Sequence, residues 1–185
     1  MIKGGVTMSF LNKPFPKIEQ KKYNNIFGNI HFAIILILLI IFSMNIKIAY
    51  VPSLSMYPTM DINEYMCCLE TNNFNYGDIV LFHPPTSPSD EYVKRVIGAG
   101  GDTISIHDGR VWRNGEALDE PYIAEEILYD MDEIQIPDGE YFLMGDNRNH
   151  SMDSHAFGTV PEESIHAKCL FHFNPPILLG LQEPS

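Results

Sequence analysis

Cysteine is scarce in this chain of 185 residues. Cys67, Cys68 and Cys169 are too few, and odd in number, for a disulfide framework. Sequence neighbours such as Cys67 and Cys68 pair only under strain, and no Cys-X-X-Cys spacing is present for zinc. Free, buried thiols are therefore expected. Positive charge is scarce too, with 12 Lys and Arg against 24 Asp and Glu. Beyond residue 50 the shortage is severe: six bases face 23 acids, a net of −17. Phosphate backbones are bound by clustered Lys and Arg, so no nucleic-acid partner is expected, and the acidity reads as solubility. Internal repeats are absent. Gly98, Gly100 and Gly101 precede no Gly-Lys-Ser/Thr, which argues against a phosphate loop and for a bulge or turn after a strand. No cofactor is expected.

Long apolar runs are absent with one exception, Phe32–Phe42 (FAIILILLIIF), inside a stretch free of charge from Lys22 to Lys47. Extended over residues 30–48, it approaches the ~20 residues needed to cross a bilayer. Residues 1–50 carry six lysines against the single acid Glu19. The positive-inside rule then puts a basic tail, residues 1–29, in the cytoplasm and residues 49–185 outside, with the lipid bilayer as a partner. A cleavable signal peptide has the same basic start and apolar middle, but a shorter one. Either reading exports the domain.

The exported part lacks any long amphipathic helix. It has turn signals instead: Asp108-Gly109 and Asn114-Gly115 favour tight hairpins, the first joining Thr103–Ile106 to Val111–Arg113 and the second turning the chain again. Further strands are predicted over Asp78–His83, Tyr92–Ile97, Glu140–Met144 and Lys168–Phe173. Thr71–Asn75 and the acidic run Glu120–Glu133 read as surface loop or insertion, and Pro175-Pro176 as the close of the domain. The fold class expected is mainly β, an antiparallel sheet domain behind one N-terminal transmembrane helix, with a short insertion near residues 103–140.

Three segments carry chemistry. In Pro52-Ser-Leu-Ser-Met-Tyr-Pro-Thr59, two serines sit in a stretch stiffened by proline. A serine hydroxyl needs a neighbouring base to act as a nucleophile, and such a segment on its own is commonly an exposed linker. In Tyr92-Val-Lys-Arg-Val-Ile97, strand alternation puts Lys94 beside Val96 on one face, and Val93 beside Arg95 on the other. Burying that ammonium is costly; lowering a lysine pKa from about 10.4 to about 8 costs roughly 3 kcal/mol and yields a neutral amine, a usable base. A lysine that snorkels to water is the ordinary alternative. The segment Gly145–Pro161 offers His150 or His155 with Asp153 for a Ser/His/Asp triad. The same three residues match no standard metal-ligand spacing, so no metal is expected.

Together, in this order and behind this apolar run, these segments resemble type I signal peptidases over most of residues 45–176. Ser53-Leu-Ser-Met-Tyr-Pro-Thr59 resembles the family's nucleophile box, and Tyr92-Val-Lys-Arg-Val-Ile-Gly98 its lysine box. Gly77-Asp-Ile-Val80 is similar to the strand between them, and Gly145-Asp-Asn-Arg148 through Ser151-Met-Asp-Ser154 to the last box. The resemblance implies a membrane-bound serine endopeptidase that removes signal peptides, with Ser55 as nucleophile and neutral Lys94 as general base. It further implies Ser53 in the oxyanion hole and Ser151 orienting the lysine. Arg95 and Asp146 would form a structural ion pair, with Asp153 supporting the catalytic loop. Val51, Pro52 and Val93 would shape shallow pockets, and the substrates would be exported preproteins with small residues before the cut. His155 stands where the family usually has arginine after Asp-Ser, so a pH-sensitive loop is expected. A peptidase dedicated to a pilus or conjugation component, or an inactive anchored binding module, are the alternative functions.

Overall fold

In a computed structural model the described residues are 29–38, 40 and 45–174. The chain divides into two units, residues 1–44 and 45–185. In the first, residues 29–38 and 40 are helical. No helix among the described residues is long and apolar enough to cross a membrane. All but the last residue of the tail expected over residues 1–29, part of the expected anchor and the Pro175-Pro176 terminator lie outside the described residues. The expected end of the anchor is corrected: Ile46–Tyr50 is strand β1, in which Ile48 and Tyr50 face solvent while Ala49 between them is buried. Between the apolar run and the strand only Ser43, Asn45 and Lys47 interrupt the apolar residues, and each alternates with one, which is why the sequence blurs this border.

In the second unit every strand pairing among the described residues is antiparallel. Strands β2 (Tyr65–Glu70), β3 (Ile79–Phe82), β4 (Tyr92–Ala99), β5 (Thr103–His107), β6 (Arg110–Arg113) and β7 (Glu116–Ala117) come after β1. Then come β8 (Met131–Gln135), β9 (Glu140–Met144), β10 (Val160–Pro161) and β11 (Ile165–Phe173). Seven strands form one sheet in the order β1-β2-β11-β3-β4-β9-β10, and four form another in the order β7-β6-β5-β8. Predicted strands at residues 78–83, 92–97, 103–106, 111–113, 140–144 and 168–173 all coincide with observed ones. The residue 103–140 insertion is built around the four-stranded sheet, whose apolar side chains share a core with Ile97 of β4 and Phe142 and Met144 of β9.

Both predicted hairpin turns form. Asp108 and Gly109 take φ of 54° and 74° between β5 and β6, and Asn114 and Gly115 take 53° and 78° between β6 and β7. These positive values are those a two-residue turn needs to match strand twist. The glycine cluster is the expected bulge: the β4–β9 register shifts between Val96 and Gly98. A Cβ on Gly98 would lie 2.7 Å from Ile136 Cδ1 and 3.1 Å from Ile104 Cδ1, so its bareness lets the second sheet's core close against β4.

Strand β4 decides where the site lies. It pairs with β3 on one side and β9 on the other, with Lys94 opposite Val80 and Arg95 between Ile79 and Met144. Three apolar clusters surround it. One holds Val51, Met56, Met66 and Val93; one holds Ile97, Ile104, Ile106 and Phe142; one holds Val80, Phe82, Val96 and Leu143. Both faces of β4 are therefore covered, and Lys94 is buried among apolar side chains.

Candidate active site

Pro52 to Met60 runs as a series of turns directly after β1. Tyr57 N–H donates to Leu54 C=O at 3.0 Å and Met60 N–H to Met56 C=O at 3.0 Å. Met56 and Met60 are fully buried and anchor the segment in the core. Ser55, immediately before the first of these anchors, points toward β4, where Lys94 Nζ lies 2.8 Å from its Oγ. The amine also donates to Val93 C=O at 2.8 Å, which fixes its direction, and Ser53 Oγ lies 3.3 Å from Ser55 Oγ.

Lys94 is 3 % exposed. Burial lowers its pKa from 10.5 to about 8, against the opposing pull of the carboxylates of Asp153 and Asp146. Desolvation wins because an ammonium loses its hydration shell there without gaining a salt bridge. The hydroxyl and the amine face a cleft of about 430 Å³ lined by Pro52, Met66, Leu81 and Val93, with His150 and Met152 at its margin. Val51, expected at the pocket surface, is instead fully buried in the core beneath it.

The loop from β9 to the single-turn helix Ser154–Phe157 closes the site from the other side. Asn147 N–H donates to Ser55 C=O at 3.1 Å and Asn147 Nδ2 to Leu54 C=O at 3.0 Å, so this loop holds the serine segment by its backbone. A Cβ on Gly145 would come within 2.3 Å of Ser151 Oγ and 2.5 Å of Ser55 C=O, an approach that only glycine permits. Ser151 Oγ, expected to orient the lysine, is buried and has no hydrogen-bond partner among the described residues. Asp153 is fully buried, accepts from Gly145 N–H at 2.9 Å, and caps the Ser154 helix through His155 N–H at 3.2 Å. The His155 ring fills the place beside it, Nδ1 at 2.7 Å from Asp153 Oδ1.

Arg95 and Asp146 meet as expected, Nε–Oδ1 at 2.8 Å and Nη2–Oδ2 at 2.6 Å. Thr59 Oγ1 donates to Asp146 as well, which ties the serine segment to the same pair. Sequence reasoning missed the next layer. Arg148 is buried and grips Glu120 through two bonds of 2.7 and 2.6 Å. Tyr122 lies under the Arg95 guanidinium, 3.9 Å from its ring centroid, and donates to Glu120. Thus the acidic run read as surface loop supplies buried partners to the site; a lone glutamate among acids gives no sign of this.

The expected residues thus fall into one cluster, and its geometry favours Ser/Lys over Ser/His/Asp chemistry. Ser55 Oγ meets an amine and a hydroxyl, while the His155 ring is committed to Asp153. A nucleophile, a base of lowered pKa and a neighbouring hydroxyl donor are the parts of an acyl-transfer site.

The chain is similar to several known proteins. A family profile described as "Signal peptidase, peptidase S26" matches residues 25–174. A Synechocystis protein named "Probable signal peptidase I-1" is 38 % identical over 138 residues, 68 % of this chain and 70 % of that protein. "Signal peptidase I" of Leptolyngbya laminosa is 36 % identical over 143 residues, 71 % of this chain and 70 % of that protein. A crystal structure of a signal peptidase I from Enterococcus faecalis aligns at 31 % identity and a TM-score of 0.47, covering 50 % of this chain and 93 % of that one. With a buried serine–amine contact at its centre and the family's profile running through both segments that make it, this chain belongs to the signal peptidase family, peptidase S26, as a type I serine endopeptidase.

Proposed function

We propose that this chain, held to the membrane by one N-terminal anchor, removes signal peptides from exported preproteins with a Ser55/Lys94 dyad. The observation that carries the proposal is the 2.8 Å contact between a buried amine and the hydroxyl at the floor of a cleft. Neutral Lys94 takes the Ser55 proton as Oγ attacks the scissile carbonyl carbon. The oxyanion of the tetrahedral intermediate needs donors already in place, and Ser53 Oγ with the Ser55 backbone N–H fill that role. The lysine ammonium then protonates the leaving amine, the C–N bond breaks, and the acyl group stays on Ser55. A water, deprotonated by Lys94, releases it.

Pro52 and Val93 line the cleft where small residues before the cut would lie. An anchor confines enzyme and precursor to one interface, which raises their effective concentration. The test is cleavage of a signal-peptide-bearing precursor in liposomes. Ser55→Ala and Lys94→Ala should each lose on the order of 10⁴-fold or more in kcat/KM, and His150→Ala should still cut. A dead His150→Ala beside an active Lys94→Ala would overturn the dyad.

A further inference from the structure

Lys94 feels two carboxylates, Asp153 and Asp146. They are compensated very differently. Asp146 is neutralised by Arg95, a cation at every working pH, through bonds of 2.6 and 2.8 Å. Asp153 has two backbone amides, those of Gly145 and His155, and an imidazole as its partners, and an imidazole can donate from Nδ1 whether or not it carries charge. The ring is held for this task, stacked on Tyr129 with centroids 4.4 Å apart and planes 27° from parallel. Tyr129 adds no charge of its own, because burial pushes its phenol further from ionisation, and its hydroxyl is 3.4 Å from Arg148 C=O. The Tyr92 ring lies 5.5 Å from Nζ, and the titratable side chains of Glu91 and His150 line the same cleft.

We infer that His155 is a positioning residue for the cleavage reaction: it fixes the Asp153 carboxylate by a hydrogen bond while leaving its charge free to act on Lys94. The inference rests on the reading of Lys94 as the base. The Nδ1 contact orients the carboxylate, which in turn holds Gly145 N–H and with it the close contacts to Ser55 and Ser151. A permanent cation at residue 155 would hold the same carboxylate but cancel its field. The amine would then lose its proton at lower pH, and the enzyme would work in more acidic conditions. The choice of side chain at 155 therefore places the pH range of the reaction without touching the reacting atoms.

Two readouts separate this from a structural role. The first is the pH profile of kcat/KM on a signal-peptide precursor for the full chain, His155→Arg and His155→Asn. The second is the ¹³C NMR titration of the Lys94 Cε in the Ser55→Ala background of each. His155→Arg should move both midpoints down by on the order of half a pH unit, the size expected for cancelling one nearby charge. His155→Asn, whose amide reaches Asp153 where Nδ1 does, should leave both where the parent has them. Coincident midpoints for His155→Arg and the parent would overturn the inference, as would an equal shift in His155→Asn. Should the arginine variant not fold, Asp153→Asn removes the same charge and must lower the NMR midpoint; an unmoved midpoint overturns the inference. If the chain cleaves no precursor, the proposed function falls while the NMR titration still decides on His155.

Discussion

Lys94 lies in the middle of β4 with apolar side chains on both sides, and its identity is unfavourable for folding there. Its pKa is lowered from 10.5 to about 8, so folding is opposed by about 3 kcal/mol at pH 7. The sign comes from proton counts. Between pH 8 and 10.5 the unfolded chain binds the proton and the folded chain does not, so stability rises with pH across that window. Below about pH 8 the full penalty is present. Lys94→Met should accordingly be more stable than the parent at pH 7, with the gap shrinking as pH approaches about 10. Urea unfolding at a series of pH values checks this, and a pH-independent gap would show that the amine is not buried as described. A residue kept against stability is what a functional base requires.

At the scale of elements, the site is a junction of three: the turns after β1, strand β4, and the loop between β9 and the Ser154 helix. What fixes that loop is its ties to the 118–127 segment, which reaches over from the smaller sheet. Arg148 and Glu120 are 0 % and 4 % exposed in their side chains, so each is costly without the other. Arg148→Met should destabilise the domain by about 3–5 kcal/mol, because it strands a buried carboxylate. The pair Arg148→Met/Glu120→Leu should recover most of that loss. Urea midpoints decide it; a double variant no better than the single would mean that the loop needs the bonds themselves.

At the scale of the whole molecule, the charge split between residues 1–50 and 51–185 predicts, by the positive-inside rule, that residues 49–185 lie outside the compartment that holds the tail. Protease added to sealed right-side-out vesicles should degrade residues 49–185, and sealed inside-out vesicles should protect them. The opposite pattern would reverse the proposed topology. Immunoblotting against the second unit reads the result directly.

Much of this was legible in the order of residues, because local rules act over short spans. Asp108-Gly109 and Asn114-Gly115 can hardly be anything but turns, and Tyr92–Ile97 and Glu140–Met144 carry the apolar, β-branched and aromatic content of strands. The boxes around Ser55, Lys94 and Ser151 were visible as well, through likeness to a family. Strands β1, β2 and β8 were not. The first adjoins a longer apolar run, the second is a short apolar run beside polar loop, and the third is acidic and shared with what reads as a surface segment. Each becomes a strand because a neighbouring strand pairs with it.

The sequence by itself determined the strand-rich class, the hairpin turns, the charge asymmetry and the residue types available for chemistry, since all of these depend on neighbours along the chain. Only the tertiary structure decided that Ser55 and Lys94, 39 residues apart, come within 2.8 Å, that Glu120 belongs to Arg148, and that His155 faces Asp153. Such contacts form because sheet pairing and core packing bring distant segments together, and the burial that makes an amine a usable base exists only once that packing is complete.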